Sequence, residues 1–172
     1  MANDIWSTKI QGILNLDLSR EMRFRDDRKD LFLSLLGLTE GMTILDIGCG
    51  PGAITRKLST WLGEKSKIIG IDRDTEFIKY AREKAIRMNL HNISYFEGDA
   101  LKLPLEDNSV NACISHTVIE HVPNKEFLLE QKRVCKPKGR VSVMYARPDK
   151  YISTEPDSLP ARSEREEELL AI

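Results

Sequence analysis

At 172 residues, 41% of them hydrophobic, the chain is long enough for one domain with a substantial core and too apolar for a disordered polypeptide. Its net charge of −1 and pI near 6.3 lack the basic excess of a nucleic-acid-binding protein, so no nucleic-acid partner is indicated. There is no apolar run of the ~18 residues that a membrane span needs and no signal-peptide pattern, and Cys49, Cys113 and Cys135 lack metal-ligand spacing, so a cytoplasmic protein with reduced thiols and no metal is expected.

Residues 2–18 have mixed periodicity and read as one or two short helices. Residues 25–36 read as a helix, with Leu31, Leu35 and Leu36 at helical spacing and Gly37 placed to end it. After a turn at Thr39-Glu40-Gly41, strand and helix patterns alternate. Strands are predicted at 43–47, 67–71, 93–96, 110–115 and 139–145, and helices at 53–62, 75–88 and 125–135. The first of these helices carries Ile54, Leu58, Trp61 and Leu62 on one face. The second carries Phe77, Ile78, Ala81, Ala85 and Met88, with Asp74 as its N-cap. Residues 151–161 read as loop, and 162–172 begin a helix whose acidic stretch suits a solvated face.

Such alternation implies an α/β fold, a doubly wound and mainly parallel sheet with helices on both faces. Ligands bind such sheets at the carboxyl ends of the strands, here the loops after residues 47, 71, 96 and 115. Residues 1–38 are expected to form a helical cap within the same domain, 39–147 the ligand-binding core, and 148–172 a loop and partial helix.

Three glycines at alternate positions, Gly48, Gly50 and Gly52, follow the first strand and precede a helix. Glycine there permits φ > 0 and lets a ligand approach the main chain, and a helix N-terminus offers N–H groups to it. Gly48, Gly50 and Ala53 also satisfy a loose form of the dinucleotide fingerprint. Asp72 ends the second strand 22 residues after Gly50, where a carboxylate can accept from both ribose hydroxyls; a helix-dipole charge is the other reading. Asp99 follows the third strand and is open to two readings, a turn aspartate or an acceptor for a ligand's amine.

The stretch Leu45–Ala53, LDIGCGPGA, resembles motif I of the class I S-adenosylmethionine-dependent methyltransferases. Asp72, the Glu97-Gly98-Asp99-Ala100 segment and Pro137-Lys138-Gly139 before the fifth strand follow in that family's order, so the resemblance covers about residues 40–146. LPLEDNSVNACISHTVIEHV is similar to the corresponding segment of the small-molecule enzymes of the ubiquinone and menaquinone biosynthesis type, with Asn111 for the usual aspartate and Val110 for the usual aromatic residue.

The resemblance implies a Rossmann-like fold with S-adenosyl-L-methionine as cofactor, S-adenosyl-L-homocysteine as product and a small-molecule methyl acceptor. The implied cofactor residues are Asp46, Gly48, Cys49, Gly50, Gly52, Asp72, Arg73, Asp99, Ala100 and His116. The glycine loop would wrap the methionine part, Asp99 would accept from the adenine amine, and the next N–H would reach the ring. Asp46 either orders the loop or meets the ammonium, with a salt bridge in the following turn as the plainer role. His116 and His121 are candidates for a general base, against structural roles in packing and capping. Trp6, Arg20, Arg23, Phe24 and Tyr145 are candidates for the acceptor side, with the two arginines suited to a carboxylate or phosphate, or else to a solvated helix face.

Only 27 residues follow Tyr145, so the family's terminal antiparallel strand pair is expected to be missing, which leaves an edge that favours a homodimer if the protein is not a monomer. Two other functions stay open at this point: a cofactor-binding module without catalysis, and an NAD-dependent oxidoreductase.

Overall fold

In a computed structural model of the chain, which describes residues 12–145, the apolar runs form one sheet. Its strands are β1 (Thr43–Ile47), β2 (Lys67–Asp72), β3 (Ile93–Glu97), β4 (Val110–His116) and β5 (Cys135–Met144). They lie in the order β3-β2-β1-β4-β5, and every pairing is parallel. The helices are α1 (Ile13–Arg23), α2 (Lys29–Leu36), α3 (Ala53–Leu62), α4 (Thr75–Arg87) and α5 (Asn124–Val134), with 3-10 turns at Asp26–Arg28 and Ile119–His121. The strand order reverses between β1 and β4, so the switch point lies where the β1 and β4 loops diverge. Trp6 and the loop and helix expected after residue 145 lie outside the described residues, as does the question of a terminal antiparallel pair.

Alternation along the strands divides the core between two faces. Ile44, Ile68, Ala112 and Ile114 pack with Phe24, Leu36, Ile54 and Leu58, which come from the N-terminal helices and α3. Leu45, Ile47, Ile71, Val110 and Cys113 pack with Phe127 and Val134 of α5 and with Leu103. Each Leu, Ile or Phe so buried contributes ~1.5–3 kcal/mol of transfer free energy. A third cluster joins Ile78, Ala81 and Ala85 of α4 to Tyr95 and Cys49. Asp74 caps α4 as expected, its carboxylate accepting from the N–H groups of Glu76 at 3.1 Å and Phe77 at 3.2 Å. The three cysteines are free and buried.

Three readings need correction. Pro137-Lys138-Gly139 is not a turn ahead of β5 but an excursion inside it. Cys135 pairs with Val110 and Arg140 with Ala112, so the residues between them leave the ladder, with Lys138 at φ 65°. The helix expected at 25–36 begins as the 3-10 turn Asp26–Arg28, and α1 runs on to Arg23 rather than ending near residue 18. Among the described residues no helix is long and apolar enough to cross a membrane.

Candidate functional site

At the carboxyl end of the sheet lies a cavity of about 290 Å³. The loop after β1 forms its floor. Gly48 and Cys49 donate their N–H groups to the Ile71 carbonyl at 2.7 and 3.0 Å, which ties the loop to the end of β2. Gly50 donates its N–H to Asp72 Oδ2 at 2.8 Å. Gly48, Gly50 and Gly52 all have positive φ, at 67°, 53° and 79°. At two of them the space is as decisive as the dihedral. A Cβ on Gly48 would lie 2.3 Å from a methyl of Val118, and one on Gly52 would lie 2.4 Å from the Tyr95 hydroxyl.

Of the sequence-predicted cofactor residues, Gly48, Cys49, Gly50, Asp72, Arg73, Asp99, Ala100 and His116 line this one cavity. Gly52 and Asp46 do not. Gly52 is the N-cap of α3, beneath the floor. Asp46 is 1% exposed and accepts from the Thr55 hydroxyl at 2.7 Å, so it braces α3 against β1 from below the loop. No salt bridge forms there, since the partner is a hydroxyl. Burial, reinforced by the nearby Asp72 carboxylate and only partly offset by Thr55, pushes the Asp46 pKa up to about 7. Asp72 is also pushed up, mainly by burial, against the N–H groups of Asp74 and Gly50 that favour its charge. Its Oδ1 accepts from Asp74 N at 2.9 Å, so each oxygen has one backbone donor and a second lone pair to offer. Asp99 accepts from Leu101 N at 2.9 Å through Oδ1, which leaves Oδ2 for a ligand.

The opposite wall comes from α1 and from the loop after β4. Leu16 and Arg20 contribute from α1, and Thr117, Val118, His121 and Val122 from the loop. Arg20 donates to Thr117 Oγ1 at 3.1 Å, and Arg23 Nη1 lies 3.3 Å from His116 Nε2. An arginine only donates, so Nε2 accepts and the ring proton sits on Nδ1, 3.4 Å from Thr117 Oγ1. The imidazole stands edge-on to Phe24, with ring centroids 5.5 Å apart. Burial, with Arg20 and Arg23 beside it, pushes the His116 pKa down to about 3, so the ring is neutral at physiological pH and a weak proton acceptor. That counts against His116 as a general base. Of the acceptor-side candidates, Arg20 reaches the cavity, whereas Arg23 packs outside His116, Phe24 is buried behind it, and Tyr145 is 55% exposed and off the wall.

Several residues of the site were not anticipated. Thr117 holds φ 56°, an uncommon value for a β-branched residue, with its N–H donated to the Met144 carbonyl at 2.8 Å. Arg56 of α3 is 2% exposed and supports the loop from inside: Nη1 donates to the Pro51 carbonyl at 2.7 Å, while Nη2 bonds Asp17 and, at 3.1 Å, Glu21 of α1. Asp17 also accepts from Tyr80 at 2.9 Å and from Lys84 of α4. This network fixes α1, and so Leu16 and Arg20, over the cavity. Its members lie 35 or more positions apart from Arg56 or Asp17 partners on other helices, and no local pattern announces them.

Asp72 and Asp99 bring carboxylates to the cavity, with Arg73 beside Asp72. The protein-family profile described as "Methyltransferase domain" matches residues 38–171. Demethylmenaquinone methyltransferase of Oceanobacillus iheyensis is 32% identical over 120 residues, covering 69% of this chain and 50% of that protein. Arsenite methyltransferase of Halobacterium salinarum is 33% identical over 107 residues, covering 62% of this chain and 27% of that protein. The chain therefore spans half or less of these curated relatives. Among solved structures, a SAM-dependent methyltransferase from Aquifex aeolicus superposes with a TM-score of 0.65 at 28% identity, over 90% of this chain and 86% of that one.

Proposed function

The chain belongs to the class I S-adenosylmethionine-dependent methyltransferases, and on that premise we propose that it transfers a methyl group from S-adenosyl-L-methionine to a small-molecule acceptor, releasing S-adenosyl-L-homocysteine. The observation that carries this reading is the single cavity onto which Gly48, Gly50, Asp72, Asp99 and Ala100 all open. When bound, S-adenosylmethionine supplies an electrophilic methyl on a positively charged sulfur. In this reading the Gly48–Gly50 main chain holds the amino-acid end, Asp72 the ribose hydroxyls, and Asp99 with the Ala100 N–H the adenine.

The chain's own part in the reaction is placement and exclusion of water. Ile47, Ile54, Phe77, Val118 and Val122 give the cavity apolar walls that suit a compact, largely apolar acceptor, as the relatedness to demethylmenaquinone methyltransferase also suggests. The Asp72 carboxylate at the end of β2 favours positive charge near the loop. A proton acceptor is needed only if the acceptor atom carries a proton to lose, and His121, the second imidazole on the wall beside His116, is then the residue for that role. No observation favours a catalytically silent module or a nicotinamide enzyme.

Calorimetry with S-adenosylmethionine and a methyl-transfer assay over a small-molecule panel test the reading. Binding that is lost in Gly50→Val, with a folded variant by circular dichroism, and turnover on at least one acceptor are expected. Unchanged affinity in Gly50→Val, or binding of NADH in place of S-adenosylmethionine, would overturn it.

A further inference from the structure

We propose that Tyr95 of β3 is a positioning residue, whose ring is the spacer that sets the height of the Gly48–Gly52 loop under the amino-acid end of the cofactor without touching the ligand. The inference rests on the reading of the cavity as an S-adenosylmethionine site. Tyr95 is 5% exposed and is not among the residues that line the cavity. Its ring lies under the loop, in space that two glycines leave for it. A Cβ on Gly52 would meet the Tyr95 hydroxyl at 2.4 Å and Cζ at 2.9 Å, and a Cβ on Gly70 would meet Cδ1 at 2.6 Å and Cε1 at 2.7 Å. Gly52 has a positive φ that itself calls for glycine, but Gly70 does not. Gly70 pairs with Tyr95 from within β2, where a glycine forfeits packing and chain entropy, so what the bare position provides is the close approach of the ring.

The tyrosine is held from both ends. Arg82 of α4 donates to the Tyr95 carbonyl through Nε at 3.1 Å and Nη2 at 2.6 Å, which fixes the main chain at the free edge of the sheet. At the other end the hydroxyl donates to the Gly52 carbonyl at 3.3 Å, beside the Arg56 N–H that the same carbonyl accepts at 3.0 Å. Burial pushes the phenol's pKa up, so the hydroxyl keeps the proton it donates. Between the two ends the ring packs with Cys49 of the loop and with Ile78, Ala81 and Ala85 of α4. The loop's other bonds run sideways: Gly48 and Cys49 to Ile71, Gly50 to Asp72, and Pro51 to Arg56. They tie the loop to β2 and α3, and the ring supports it from below. A smaller side chain lets Gly52 and Cys49 settle toward Gly70, and a shift of about 1 Å in a binding surface is enough to cost a large factor in placement of the ligand.

The test is calorimetry on the full chain with two probes, S-adenosylhomocysteine and 5′-methylthioadenosine, which keeps the adenine, ribose and sulfur and lacks the amino-acid end. Tyr95→Leu is expected to weaken S-adenosylhomocysteine about tenfold or more and to leave methylthioadenosine within about twofold, because only the first reaches over the loop. Tyr95→Phe, which keeps the spacer and loses only the bond to Gly52, is expected to hold S-adenosylhomocysteine within about threefold of wild type. Equal weakening of both probes in Tyr95→Leu, no weakening of either, or a loss in Tyr95→Phe as large as in Tyr95→Leu overturns the proposal. Should Tyr95→Leu not fold, Gly70→Ala, which sets a methyl 2.6 Å from the ring and leaves the tyrosine in the chain, carries the same comparison of probes with the same outcomes. If neither probe binds the wild-type protein, the cofactor reading itself fails and this role of Tyr95 with it.

Discussion

Asp46 converts the structure into a measurable pH dependence. Its carboxyl is 1% exposed, with one hydroxyl donor at 2.7 Å and the Asp72 charge nearby, and its pKa rises from 3.8 to about 7. The folded protein therefore holds this proton across a range in which the unfolded chain has already released it. Stability from this group is full below about pH 4 and is lost as pH rises through about 7. Between pH 5 and pH 8 the folded state keeps the proton for about two pH units that the unfolded state does not, which at ~1.4 kcal/mol per unit is a loss of about 3 kcal/mol. Asp46→Asn keeps the shape and an oxygen for the Thr55 hydroxyl while removing the titration. Urea denaturation of both proteins at pH 5 and pH 8 isolates the effect of Asp46 and its coupling to Asp72, because the titrating groups that do not interact with Asp46 cancel in the difference. The stability of wild type relative to Asp46→Asn should fall by about 3 kcal/mol on going to pH 8. A difference that stays constant to within about 0.5 kcal/mol would refute the claim that a buried, Asp72-repelled carboxyl titrates here.

Two further perturbations probe the frame of the site. Gly48→Ala places a methyl 2.3 Å from Val118 Cγ2 at φ 67°; calorimetry should show cofactor affinity reduced at least tenfold, and an affinity within about twofold of wild type would deny the loop its close approach to the Val118 segment. Arg56→Met leaves Asp17 buried with only Lys84, Glu21 and Tyr80 around it and frees the Pro51 carbonyl; chemical denaturation should register a loss of about 3–5 kcal/mol, and a loss below about 1 kcal/mol would mean that the network does not hold α1 over the cavity.

The frame of this protein was legible in its sequence because its signals are local. Runs such as Thr43–Ile47 followed by glycines at alternate positions, and Asp72 closing the next apolar run, need no knowledge of distant residues, and the structure brings them to one cavity. Asp46 shows where local reading stops. Period-two alternation puts it on the same face as Ile44, toward α3, so the signal that it braces Thr55 instead of facing the ligand was present in the strand itself. Tyr145 misled for a topological reason: it follows β5, which lies outside β4 and one strand farther from the switch point than sequence order conveys. The Pro137–Gly139 segment misled because a turn signature and an interruption within a strand use the same residues; the choice was made by pairing on either side of it, at Cys135 and Arg140.

What no local pattern carries is the contribution of α1. Arg20 is 97 positions from Thr117, and Arg56 is 39 from Asp17. Each pair exists only because the sheet order brings the β4 loop and the start of α3 beneath one helix. The same long-range arrangement adds Leu16 and Arg20 of α1 to a cavity whose carboxylates, Asp72 and Asp99, come from the strand ends. Motif and packing thus make different contributions to one site. The strand ends carry the residues that the proposed cofactor reading needs, and the docking of α1 supplies the wall that faces them. A chain that kept the glycine loop and lost the Arg56–Asp17 anchor would still match the motif, while its second wall would no longer be held.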